Sequence, residues 1–187
     1  GRTLRPLNNG GKRDSYNNWN HGFEAMNWFE DTNELVVMHE SSTIAPTVVQ
    51  LPSQTALEAS LTPHHFRISD LTQLNQNNNQ CLLGVSFCWN GDSSEICQSS
   101  PNESELNVFA MTKVGSQIEI NARSKNLLKA LGTKKFNAEG IMFVGDYVYL
   151  VNDSSAPKGT KTYLARFNID GFRKQKEFEH WLEQCSL

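Results

Sequence analysis

Beyond residue 21 the chain alternates short apolar runs with polar turns, the pattern of antiparallel strands. Ala25, Met26, Trp28 and Phe29 form one run, Glu30 to Glu34 a polar turn, and Leu35 to Met38 a second run rich in β-branched residues. Thr47 to Leu51 and Phe66 to Leu71 predict two further short strands. They are bounded by Pro46, Pro52 and Pro63, which cannot donate to a strand ladder. The Asn/Gln-rich tract from Gln73 to Gln80 reads as a loop, and Cys81 to Trp89 as an apolar strand of nine residues. Leu106 to Lys113 and Gln117 to Ala122 predict a hairpin turning at Val114, Gly115 and Ser116. A second hairpin, Ile141 to Val144 with Tyr147 to Val151, turns at Gly145 and Asp146, and Thr162 to Ile169 supplies another strand. Helical signals are few. Asn126 to Leu131 ends at Gly132, a C-terminal cap, and Phe178, Trp181, Leu182 and Cys185 recur at the helical period within 173–185. Asn8, Asn9, Gly10, Gly11, Asn17, Asn18 and Asn20 favour turns, so residues 1–21 read as an irregular arm. The expectation is an all-β domain over 22–172 with a C-terminal amphipathic helix over 173–187.

Two of these hairpins repeat one another. Glu24-Ala-Met-Asn-Trp-Phe, a turn, and Leu35-Val-Val-Met-His-Glu-Ser-Ser42 align with Glu139-Gly-Ile-Met-Phe-Val, a turn, and Val148-Tyr-Leu-Val-Asn-Asp-Ser-Ser155. Glu24 and Glu139 are offset by 115 residues and Ser42 and Ser155 by 113, a difference that the turn absorbs. A further echo pairs Phe66-Arg-Ile-Ser-Asp70 with Ala165-Arg-Phe-Asn-Ile-Asp170. Repeated antiparallel units of this kind predict propeller-like blades of about 40 to 50 residues each. The span 22–172 holds about three such blades, too few to close a ring, so the chain is expected to associate with a second chain or with itself.

The segments Glu139 to Ser155 and Thr162 to Asp170 resemble blades of the esterase-like phytase family and its calcium-binding propeller relatives, over roughly 24–71 and 139–170. That resemblance implies an extracytoplasmic propeller that binds Ca2+ or Mg2+ and hydrolyses a phosphoester or carboxylic ester. A rival likeness joins Val144 to Leu150 and Tyr163 to Phe167 to bromo-adjacent homology domains, which are chromatin interaction modules on a small β-barrel. The first copy of the repeat has no place in it.

Composition narrows the partners. With 17 basic and 20 acidic side chains the net charge is -3, so nothing attracts nucleic acid or anionic lipid in general. The longest apolar runs are a few residues, whereas a membrane span needs about 20. The chain opens on Gly1 and carries no basic stretch followed by an apolar segment, so any targeting peptide is expected to be absent or removed. Cys81, Cys88, Cys97 and Cys185 lack the paired Cys-x2-Cys spacing of a structural zinc site. Cys88 and Cys97 flank the turn-forming segment Asn90 to Ser94, which favours a disulfide between them among three possible connectivities, and with it a secreted or periplasmic setting.

The repeat also points to chemistry. Glu24 and Glu139 occupy equivalent positions, as do Glu40 and Asp153, and four carboxylates at one end of adjacent strands would suit Ca2+ or Mg2+. Glu24, His39 and Glu139 are the candidate acid/base groups and Asn152 and Arg166 the candidate ligand-binding ones. The plainer reading is that the acids cap strand-entry amides and begin Asx-type turns. No nucleophile elbow, phosphate-cradling glycine loop, His-Glu-x-x-His helix or EF-hand loop is present. The competing functional expectation is therefore a non-catalytic domain that binds a glycan or a protein through Trp19, Trp28 and Trp89.

Overall fold

The computed structural model describes residues 23–39, 45–51, 53, 55–62, 68–75, 78–88, 104–133, 136–152 and 162–185. The described strands are mostly antiparallel and make three sheets, as the all-β expectation requires. The first sheet runs β1 (Phe23–Phe29), β2 (Glu34–His39), β3 (Thr47–Gln50) and β4 (Thr55–Glu58) in chain order. Ala59 then donates to the Pro46 carbonyl and the chain enters β5 (Ser60–Thr62), which pairs in parallel with β9 (Gln117–Arg123). β6 (Asp70–Asn75), β7 (Asn78–Cys88) and β8 (Glu105–Val114) complete the second sheet in the order β5-β9-β8-β7-β6. The third sheet is a meander of β10 (Ala138–Val144), β11 (Tyr147–Asn152) and β12 (Leu164–Asn168).

The second sheet lies between the other two. Leu82, Phe109, Met111 and Ile118 meet Ala25, Phe29, Val36 and Met38 of the first sheet, while Leu83, Val85, Phe87 and Val108 meet Ala138, Ile141, Val148 and Leu150 of the third. A strand covered on both faces is apolar at consecutive positions, which explains the uninterrupted run in β7 and β8. The edge strand β6 lies beside the edge strands β1 and β10 of the two flanking sheets, and β10 also packs on β7. No closed ring of sheets is present among the described residues.

Sequence marks several boundaries correctly. Gly115 and Gly145 take positive φ (57° and 58°) at the first position of two-residue hairpin turns, a backbone that L side chains resist. The β1–β2 turn is two residues longer and closes with Asn33 at φ 52°. α1 (Leu128–Leu131) stops at Gly132 with φ 65°. The predicted C-terminal helix is two pieces, α2 (Asp170–Arg173) and α3 (Lys176–Gln184), and the buried Phe178, Trp181 and Leu182 pin α3 to the core shared by the second and third sheets. No helix among the described residues is long and apolar enough to cross a membrane.

Other expectations are corrected. The Asn/Gln tract is not a loop along its length: β6 continues to Asn75 and β7 begins at Asn78, so most of it is ladder-paired. β6 starts at Asp70, later than the predicted strand, and residues 63–67 lie outside the description. The partner of β12 in the repeat is β3, since both are the third strand of their sheets, and not the segment around Asp70. β4 and β5 were not predicted. The expected irregular arm, 1–21, lies wholly outside the described residues. Cys81 and Cys185 form a disulfide that fastens the end of α3 to β7. Cys88 is also disulfide-bonded; its expected partner, Cys97, lies outside the described residues.

Candidate functional site

The two repeated hairpins share an irregularity. β1 pairs Phe23 with His39 and Ala25 with Met38, leaving Glu24 as a bulge; β10 pairs Ala138 with Asn152 and Gly140 with Val151, leaving Glu139 as a bulge. One extra residue re-aims the side chain at that point, so the equivalence of the two acids is real at the level of the backbone. They sit on different sheets, with the second sheet between. Glu139 Oε1 accepts a hydrogen bond from Asn137 Nδ2 at 2.6 Å, and Asn152 Oδ1 accepts the Tyr163 N–H, linking β11 to the start of β12. His39 is buried and pairs through its backbone with Phe23. Among the described residues no three His, Cys, Asp or Glu side chains are placed to hold a metal ion. Glu40 and Asp153, the other two candidate ligands, lie outside them. Arg166, a candidate ligand-binding residue, stacks its guanidinium over the Tyr147 ring at 4.7 Å on the outer face of the third sheet. Trp28 is exposed on the outer face of the first sheet, and Trp19 and Trp89 lie outside the described residues.

That outer face of the third sheet is an open apolar surface. Met142, Val144 and Leu164 are 59%, 52% and 69% exposed, and Val151 and Tyr163 add to them. Pleating sends alternate residues to one side, so Gly140, Met142 and Val144 of β10 line up with Tyr149 and Val151 of β11 and Leu164 of β12. They line an open groove of about 490 Å³ whose inner wall includes Asp70. A Cβ on Gly140 would come within 2.5 Å of Val151 Cγ1, so the glycine keeps the groove open where β10 and β11 meet.

Asp70 holds the third sheet onto the second. Its Oδ2 accepts the Ile141 N–H at 2.8 Å, and two residues along β6 the Thr72 hydroxyl oxygen accepts the Phe143 N–H at 3.4 Å. These amides belong to the edge of β10 that faces away from β11, where a strand otherwise leaves donors unpaired. Burial pushes the Asp70 carboxyl above its ordinary value, although the Ile141 and Leu71 backbone donors oppose the shift. Across the other junction, Lys113 of β8 donates to Glu34 Oε2 of β2 at 2.7 Å and lies 5.1 Å above the Phe29 ring. Burial raises the Glu34 carboxyl, but hydrogen bonds from Lys113, Thr32 and Gln50 outweigh it and leave the net shift downward.

Sequence reasoning missed Asp70 as a cross-sheet acceptor and missed the apolar groove. The alternation of Gly140, Met142 and Val144 was the available signal for the face. Nothing in one sequence signals the Asp70 contact, because it joins residues 71 apart. Compared with protein-family models, curated proteins and solved structures, the chain matches none.

Proposed function

We propose that these residues form three successive blades of a propeller-like, extracytoplasmic domain whose role is recognition and assembly, with a protein partner docking on the outer face of the third sheet. The exposed Met142, Val144 and Leu164 around the groove carry this reading, since an apolar patch of this kind on a soluble domain marks an interaction surface. The lining favours a protein over a glycan: its one charged side chain, Asp70, is engaged by two backbone N–H groups, leaving little to recognise sugar hydroxyls. The disulfides at Cys81–Cys185 and at Cys88 fit an oxidising compartment. The test is binding of the dye bis-ANS at nanomolar protein: Met142→Glu with Leu164→Glu should abolish it, and unchanged binding would refute the role of this face.

The shared bulge supports a second reading, a divalent cation bound near the strand ends that carry Glu24 and Glu139, serving hydrolysis of an ester or phosphoester. Calcium should then raise the melting temperature, and ester turnover should vanish in Glu139→Gln. Turnover with that loss would displace the recognition reading.

A further inference from the structure

The repeat extends to the third strands of the two flanking sheets, and there the copies differ. Aligning the bulges makes Val36 equivalent to Tyr149, and the ladders then make Val48 of β3 equivalent to Arg166 of β12 and Gln50 to Asn168. In the first sheet β4 covers the far side of β3: Val48 pairs with Leu57, Gln50 with Thr55, and the Ala59 N–H donates to the Pro46 carbonyl at 2.7 Å. Among the described residues the third sheet stops at β12. Residues 169–185 turn instead into α2 and α3 and return to β7 through the Cys185 bridge.

Hydrogen bonds fix which groups of β12 face away from β11. Asn152 donates its N–H to the Tyr163 carbonyl and Ile169 donates to the Asp146 carbonyl, so the odd-numbered residues of β12 are the ones bonded to β11. An antiparallel strand turns its alternate residues the other way. The N–H and C=O groups of Leu164, Arg166 and Asn168 therefore point out from the edge, and no strand among the described residues pairs with them. Resting on the recognition reading above, we infer that β12 takes an extended segment of a partner protein as a fourth, antiparallel strand, in the place that β4 holds in the first sheet. Main-chain pairing of this kind supplies affinity, and alternate side chains supply specificity. Leu164, Arg166 and Asn168 are exposed on the outer face, so the partner residues opposite them lie on that face too. Leu164 lines the groove and calls for an apolar residue opposite it. Arg166, held over the Tyr147 ring, calls for an acidic one. Ala165 and Phe167 point inward against the core, so apolar residues belong opposite them as well. The segment is β-branched and apolar, with one acid opposite Arg166.

The probe is a synthetic peptide, acetyl-Lys-Thr-Val-Glu-Val-Val-Lys-amide, titrated into the isotope-labelled intact chain and read by amide hydrogen exchange. In the free chain the Leu164, Arg166 and Asn168 amides should exchange fast and those of Ala165 and Phe167 slowly; saturating peptide should slow the first three about tenfold or more. N-methylation of the peptide's Glu amide, which faces β12, should weaken binding about tenfold or more, and N-methylation of the Val before it, which faces away, should leave binding nearly unchanged. Arg166→Glu should weaken this peptide about tenfold and tighten the peptide carrying Lys in place of its Glu, a reversal that loss of fold cannot produce. Slow exchange of Leu164, Arg166 and Asn168 in the free chain would mean that this chain or a second copy already covers the edge, and would overturn the inference. So would exchange that millimolar peptide leaves unchanged, or binding indifferent to the position of the N-methyl group. The dye assay separates the failures: bis-ANS binding that depends on Met142 and Leu164 in a chain that ignores the peptide keeps the recognition reading and loses only the added strand.

Discussion

Opening the Cys81–Cys185 bridge should cost the fold a large share of its stability. The bridge closes a sequence separation of 104 residues, and the chain-entropy relation for a loop near that length gives about 4.7 kcal/mol at 25 °C. Both cysteines are buried, Cys81 against the face of β7 that meets the third sheet and Cys185 beside Trp181 and Leu182, so alanine leaves both sites apolar. The measurement is urea unfolding of Cys81→Ala/Cys185→Ala against the parent, followed by the fluorescence of the buried Trp181. The midpoint should fall, and the slope with urea should rise because the released unfolded chain exposes more surface. A domain is stable by about 5 to 15 kcal/mol, so the expected loss is about 30% of the total or more. A loss below about 1 kcal/mol, with α3 still docked, would show that packing of α3 holds the C-terminal end without the bridge and would refute the entropy argument.

Three further outcomes follow from the junctions between sheets. Gly84→Ala in β7 should lower stability by about 1 to 3 kcal/mol in the same urea assay, because the new Cβ would meet Met111 Cε at 2.6 Å and Ile68 Cγ2 at 3.1 Å inside a closed core. Lys113→Met should cost about 2 to 3 kcal/mol at neutral pH by leaving Glu34 without its buried partner, and Lys113→Met/Glu34→Leu should recover most of it; a double variant no better than the single would refute the pair's role. Because burial raises the Asp70 carboxyl in the folded state, its contribution is favourable below the ordinary value of 3.8 and is lost as pH rises through the folded value. Stability curves of the parent and Asp70→Asn should therefore diverge in the variant's favour over that rise, and parallel curves would refute the shift.

Local rules made much of this fold legible. Gly115, Gly132 and Gly145 mark turns and a helix end because only those positions need positive φ, and the hairpins they punctuate were readable to within a few residues. The Glu24 and Glu139 equivalence was readable because a bulge is a local device that both copies keep. What sequence hid was either exposed or remote. β4 is exposed along its length, so it has no apolar face to announce it. β5 has three residues and pairs in parallel with a strand more than fifty positions away. The Asn/Gln tract looked like a loop by composition, but its ends are paired in the ladder of β6 with β7, and pairing is a tertiary fact. Two of the four candidate metal ligands, Glu40 and Asp153, lie outside the described residues. Equivalence along the chain puts Glu24 and Glu139 at matching places on two sheets, and a third sheet stands between them.

The sulfur bridge also fixes how the molecule carries force. Tension entering at Cys185 passes straight into β7, the centre of the stack, so the third sheet, α2 and α3 hang on a closed side branch. A pull between Phe23 and Cys185 can lengthen the chain only through the residues up to Cys81. The face carrying Met142 and Leu164 would keep its shape under load until the bridge is reduced.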